Sequence, residues 1–115
     1  MEKKGTINIY LSGKISGKAP MYVEGEFRAG ANAVRKIMKE RGIGLYEYRI
    51  VDPSHLPQVQ SSWEDYMIRD LMLLKECDII GLLPSWKDSN GANIEKMFAE
   101  ARGMEVLLLN GAEPF

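Results

Sequence analysis

The chain has 115 residues, 45% of them hydrophobic and 27% charged, which is enough to bury one core and too little for two. Fifteen basic against sixteen acidic residues leave a formal charge of −1, so there is no basic field of the kind that holds a nucleic-acid polymer. Cys77 and His55 are each the single residue of their type, which excludes an intrachain disulfide and a Cys/His zinc cluster. No apolar run approaches the ~18 residues of a membrane span, and Met1 to Lys4 leads into a short strand instead of a signal-peptide core. A single domain over residues 1–115, cytoplasmic and without a membrane partner, is expected.

Thr6 to Ser12 (TINIYLS) is a short apolar run with β-branched and aromatic residues, closed by Gly13, and it suits a strand buried on both faces. The loop that follows, Gly13-Lys14-Ile15-Ser16-Gly17-Lys18-Ala19-Pro20, lies at the carboxyl end of that strand. Its freed backbone amides and lysines suit an anion, although it is neither a Walker A sequence nor GxGxxG, and an ordinary surface turn explains it equally well. From Val23 to Arg41 the apolar residues Val23, Phe27, Ala31, Val34, Ile37 and Met38 recur at helical spacing up to Gly42. Leu45 to Val51 reads as a second strand, broken at Asp52-Pro53-Ser54. Ser54 to Ser62 reads as a polar loop carrying a solvated His55.

Ser62-Trp63-Glu64-Asp65 has the spacing of a helix start, with a capping serine and an acid three positions on. That helix runs to about Glu76 with a stripe of Tyr66, Met67, Leu71 and Leu74. Asp70 falls inside the stripe, an unusual place for a carboxylate. Cys77 reads as a small buried residue at the helix end. Asp78 to Leu83 (DIIGLL) is the next buried strand. The stretch LLPSWKDSNGANIEKMFAEA then closes that strand, makes a Gly-bearing turn and starts a third helix with Glu95 in its first turn. The neighbours of Glu95 three and four positions away are Gly91, Ala92, Phe98 and Ala99, none of them polar. A functional carboxylate and a plain helix-start Glu favoured by the backbone dipole both fit that pattern. Glu105 to Leu109 (EVLLL) is the last strand.

Strands and helices alternate throughout, so the expected fold is α/β. It is a three-layer Rossmann- or flavodoxin-like arrangement with a parallel sheet of about four strands, order 2-1-3-4, and helices on both faces. In such a sheet ligands bind beyond the carboxyl ends of the strands where the winding reverses, between the first and third strands. The Gly13 to Lys18 loop, the Pro84 to Gly91 turn and Tyr10 would meet there. Two carboxylates in a partly dry cleft suit acid/base or nucleophilic work on a glycosidic bond. Magnesium binding would want more oxygen ligands, and a phosphoacceptor would want its acids at strand ends.

The segments IYLSGKISG, WEDYMIRDLMLLKECDIIGLLPSW and SNGANIEKMFAEA resemble the nucleoside 2-deoxyribosyltransferase superfamily, and the resemblance spans nearly the whole chain. The closest match is to its branch of small bacterial and phage proteins, with similarity also to the 2'-deoxynucleoside 5'-phosphate N-hydrolases. The resemblance implies a nucleophile at Glu95, assistance at sugar and base from Asp70, and a Tyr10 that orients the nucleophile. Gly13, Lys14, Ser16, Gly17, Ser89 and Gly91 are expected to bind substrate, with Ser89 and the loop after the first strand holding its 5' end. Six residues before the nucleophile the transferases usually carry an Asp for the sugar's 5'-hydroxyl, where the monophosphate hydrolases have Ser; this chain has Ser89. Lys14 and Ser16 replace the serine and arginine that resemble a phosphate clamp in the hydrolase branch. The superfamily's enzymes continue past the fourth strand and pass residues from there into a neighbour's site, whereas this sequence ends at Phe115. A site incomplete within one chain is therefore an expectation, and a homodimer or higher homo-oligomer is expected on the resemblance alone. The implied substrate is a nucleoside or nucleotide, cleaved or transferred at its N-glycosidic bond with no metal or organic cofactor. The alternative is a noncatalytic nucleotide- or sugar-phosphate-binding module on the same fold.

Overall fold

The computed structural model describes residues 5–56 and 62–109. Four parallel strands, β1 (Ile7–Ser12), β2 (Tyr48–Val51), β3 (Ile79–Leu82) and β4 (Glu105–Leu108), lie in the order β2-β1-β3-β4. Three helices connect them: α1 (Pro20–Glu40), α2 (Trp63–Lys75) and α3 (Asn90–Ala101). The expected α/β architecture and strand order are those observed.

Alternation along β1 divides the core into two layers. Ile9 and Leu11 face α1, where they meet Phe27, Val34 and Met38. Tyr10 points to the opposite face and packs with Leu74, Ile80, Leu82 and Ala99 under α2 and α3. All four residues of β3 are buried, as a central strand covered on both faces requires, whereas β4 at the edge exposes Glu105 and Leu108. Among the described residues no helix is long and apolar enough to cross a membrane.

The helix ends follow from local chemistry. α1 begins at Pro20 instead of Val23, because proline's missing N–H costs nothing in the first turn. It ends in a Schellman motif: Gly42 takes φ 76°, its N–H bonds to the Lys39 carbonyl, and the Ile43 N–H bonds to that of Met38. α3 ends the same way at Gly103 and Met104. Ser62 caps α2 as its position predicts, accepting the Asp65 N–H at 3.1 Å.

Three further segments differ from expectation. β2 starts at Tyr48, not Leu45, because Gly44 to Glu47 closes a turn in which the Glu47 side chain takes the Gly44 N–H at 2.6 Å and leaves Leu45 and Tyr46 exposed. Pro53–His55 is a short 3₁₀ turn capped by Asp52, with Pro53 buried and His55 exposed; the rest of the expected polar loop, 57–61, lies outside the described residues. The turn after β3 opens with a 3₁₀ segment, Pro84–Asp88, so α3 begins at Asn90 and Glu95 is its sixth residue, in the second turn and not the first.

Candidate active site

The carboxyl ends of β1 and β3 open into a cleft of about 680 Å³. One wall comes from the loop after β1, through Gly13, Lys14 and Ser16, and the facing wall from the start of α3, through Ser89 and Gly91. Glu95 and Asp70 reach the same cleft from α3 and α2. This is the crevice that the strand order dictates, where connections leave neighbouring central strands in opposite directions.

Glu95 is only 5% exposed, and both of its oxygens are engaged. The Tyr10 hydroxyl donates to Oε2 at 2.8 Å and the Ser12 hydroxyl to Oε1 at 2.6 Å. The second donor was not singled out from sequence. Its signal was period two: Ser12 lies two residues beyond Tyr10 on the same strand and so projects from the same face. Burial pushes the Glu95 carboxyl up to about 7 against the two hydroxyls that favour its charged form, and the Asp70 charge adds to the rise. Burial and the Glu95 charge raise the Tyr10 phenol far above its ordinary range, so it remains a donor throughout.

Asp70 is 8% exposed. Its Oδ1 accepts the Arg69 Nε–H at 3.0 Å, a partner supplied by the preceding residue. Burial nevertheless prevails over that guanidinium, and the Asp70 carboxyl is raised above its ordinary value. The two misplaced acids of the sequence thus lie in one cleft, each harder to ionise than in water. Among the described residues no three His, Cys, Asp or Glu side chains converge as a metal site requires.

Ser89 caps α3 by accepting the Ala92 N–H at 3.0 Å, which leaves its own hydroxyl hydrogen to donate. Gly91 lies against Met67, where a Cβ would come within 3.1 Å of the sulfur. Gly17 departs from expectation: it turns the loop at φ 79° and does not line the cleft, so its part is conformational. Lys18 also stays off the cleft wall, because its ammonium sits 3.8 Å from Glu26 and 4.1 Å from the centre of the Tyr22 ring. Trp63, Tyr66 and Asp88 are further wall residues that were not singled out from sequence. The two aromatics read as capping and core positions, and Asp88 as part of a turn.

A solved structure, the "2-desoxiribosyltransferase from Leishmania mexicana", shares this fold, with a TM-score of 0.54 and 19% sequence identity. The superposition covers 89% of this chain and 63% of that one. No curated protein matches the sequence. The family model described as "Domain of unknown function (DUF4406)" matches residues 7–108, and the chain belongs to that family.

Proposed function

We propose that the protein cleaves or transfers the N-glycosidic bond of a deoxynucleoside or its 5'-monophosphate, with Glu95 as nucleophile. The observation that carries this reading is the Glu95 carboxyl, buried at the floor of an open cleft and held by Tyr10 and Ser12 with Asp70 on the adjoining helix. Hydrogen bonds to both oxygens fix its orientation, and desolvation strengthens it as a nucleophile once ionised. A Glu95 oxygen attacks C1' of the sugar as the bond from C1' to the base nitrogen breaks. The electron pair of that bond leaves with the base, and a protonated Asp70 supplies the proton that neutralises it. Water, or a nitrogen of a second base, then attacks C1' of the glycosyl ester and releases the Glu95 carboxylate, its proton passing to Asp70. The structural neighbour from Leishmania mexicana is named for deoxyribosyl transfer, and the fold likeness supports the reading to that extent.

Ser89, Lys14 and the N-terminus of α3 favour a phosphorylated 5' end, since a hydroxyl donor, a cation and a positive dipole end all attract an anion. The test is incubation with a panel of deoxynucleosides and their 5'-monophosphates, with free base followed by chromatography. Base release from wild type and none from Glu95→Ala is the expected result. Calorimetric binding of a panel member with no base release would make the protein a binding module and overturn the enzymatic reading.

A further inference from the structure

A third carboxylate is misplaced. Glu26 lies in the interior of α1 between the core residues Val23 and Phe27 and is 2% exposed, although it adds nothing to an apolar core. Its two oxygens reach across to the loop after β3. Oε2 accepts the Ser85 N–H at 2.9 Å and Oε1 the Ser85 hydroxyl at 2.8 Å. The same Ser85 hydroxyl oxygen accepts the Lys14 N–H at 2.9 Å, so one chain of hydrogen bonds runs from α1 through the β3 loop to the β1 loop. Close packing supports it, since a Cβ on Gly13 would come within 3.2 Å of the Ser85 Oγ and 2.9 Å of Leu83. Glu26 also draws the Lys18 ammonium toward itself, to 3.8 Å. The two lysines of the loop are thereby sorted: Lys14 lines the cleft and Lys18 does not.

We propose that Glu26 is a positioning residue that clamps the loop after β1 to the loop after β3 and, by holding Lys18 aside, sets Lys14 as the loop lysine that meets the 5'-phosphate of the substrate. The inference rests on the phosphate reading of the cleft given above. Glu26 touches neither the cleft nor the reacting atoms, so its effect belongs on substrate affinity and not on the chemical step.

The sign of the effect separates this role from simple electrostatics. Removing a negative charge beside an anion site would by itself tighten anion binding. Glu26→Gln keeps the size of the side chain but replaces two charged acceptors by one neutral acceptor and an NH₂, which must compete with the Lys14 N–H for the Ser85 hydroxyl oxygen, and it releases Lys18, so the clamp weakens. The base-independent probe is 2-deoxyribose 5-phosphate, titrated calorimetrically against wild type, Glu26→Gln and Ser85→Ala, the last a milder change with no charge lost. Both variants should bind it at least about tenfold more weakly, the scale of one lost hydrogen bond to a charged group. In turnover of a deoxynucleoside monophosphate, KM should rise by a similar factor while kcat stays within about twofold. Amide exchange at Lys14 should accelerate by at least about tenfold in both variants, which reports the clamp without any ligand. If Glu26→Gln binds the probe as tightly as wild type or more tightly, Glu26 acts as a local charge only and the proposal falls. A wild type with no preference for phosphorylated ligands would remove the phosphate reading, and the Lys14 exchange rate would then decide the clamp alone: unchanged protection overturns it.

Discussion

At the residue scale, the Glu95 carboxyl is set between opposing forces. Desolvation favours its neutral form, the hydroxyls of Tyr10 and Ser12 favour its anion, and desolvation prevails enough to bring the group to about 7. A nucleophile must be ionised while the acid that protonates the departing base must not be, so base release should rise as pH climbs toward about 7 and fall again as Asp70 loses its proton. A rate that is flat from pH 5 to 8 would count against Glu95 as the attacking group. Glu95→Gln, which can keep one accepted hydrogen bond, should reduce base release to background. Asp70 has a different role in the same cleft. With burial holding its carboxyl above the ordinary range, Asp70→Asn should slow turnover by about 10²- to 10⁴-fold, the usual size of a lost acid/base step, with a smaller effect on ligand affinity measured by calorimetry. Equal turnover by the two proteins would remove Asp70 from the chemistry.

At the scale of elements, the N-terminus of α3 and the packing beneath the β1 and β3 loops carry separate predictions. Ser89 caps α3 and lines the cleft, so Ser89→Asp should preserve the cap while placing a carboxylate where a phosphate is proposed to bind. Like charges ~4 Å apart repel by about 4 kcal/mol at an effective dielectric of 20, of which screening should leave roughly 1 to 3 kcal/mol. Wild type should prefer a deoxynucleoside monophosphate over its nucleoside, and Ser89→Asp should reverse that order in calorimetric titration. Wild type binding the nucleoside as well as the monophosphate would favour a site for the 5'-hydroxyl. Below the loops, Gly30 of α1 lets the helix approach Leu83, which is fully buried just beyond the end of β3. A Cβ at Gly30 would lie 2.2 Å from Leu83 Cδ2, while the other methyl of Leu83 already bounds Gly13. Leu83 is fully buried and would have to shift to admit the added methyl, so Gly30→Ala should destabilise the protein by about 1 to 3 kcal/mol in urea unfolding. An unchanged midpoint would show that the helix shifts without cost.

At the scale of the whole molecule, the buried Glu95 ties stability to pH. Between its ordinary value of 4.5 and the value near 7 in the folded protein, the folded chain holds a proton that the unfolded chain has released. Its contribution is therefore fully present below about pH 4.5 and is lost as pH rises through about 7. The difference corresponds to roughly 3 kcal/mol. Glu95→Gln lacks this term, so its stability relative to wild type should be greater at pH 8 than at pH 4.5 by roughly 2 to 3 kcal/mol in urea unfolding. Parallel curves for the two proteins would show that Glu95 is not desolvated in the way its burial implies. Sequence alone determined the order of strands and helices, because periods of two and 3.6 and the breakers Gly42 and Pro53 are local signals, and parallel strands with right-handed crossovers leave few ways to arrange them. It also marked Glu95 and Asp70, since a charge inside an apolar stripe stands out without any structure. Tertiary structure alone decided which groups those carboxylates meet. Ser12 lies 83 residues from Glu95, and Ser85 lies 59 from Glu26 and 71 from Lys14. No local pattern records such pairs, because they exist only once β1 and β3 lie side by side and bring the ends of distant segments to one rim.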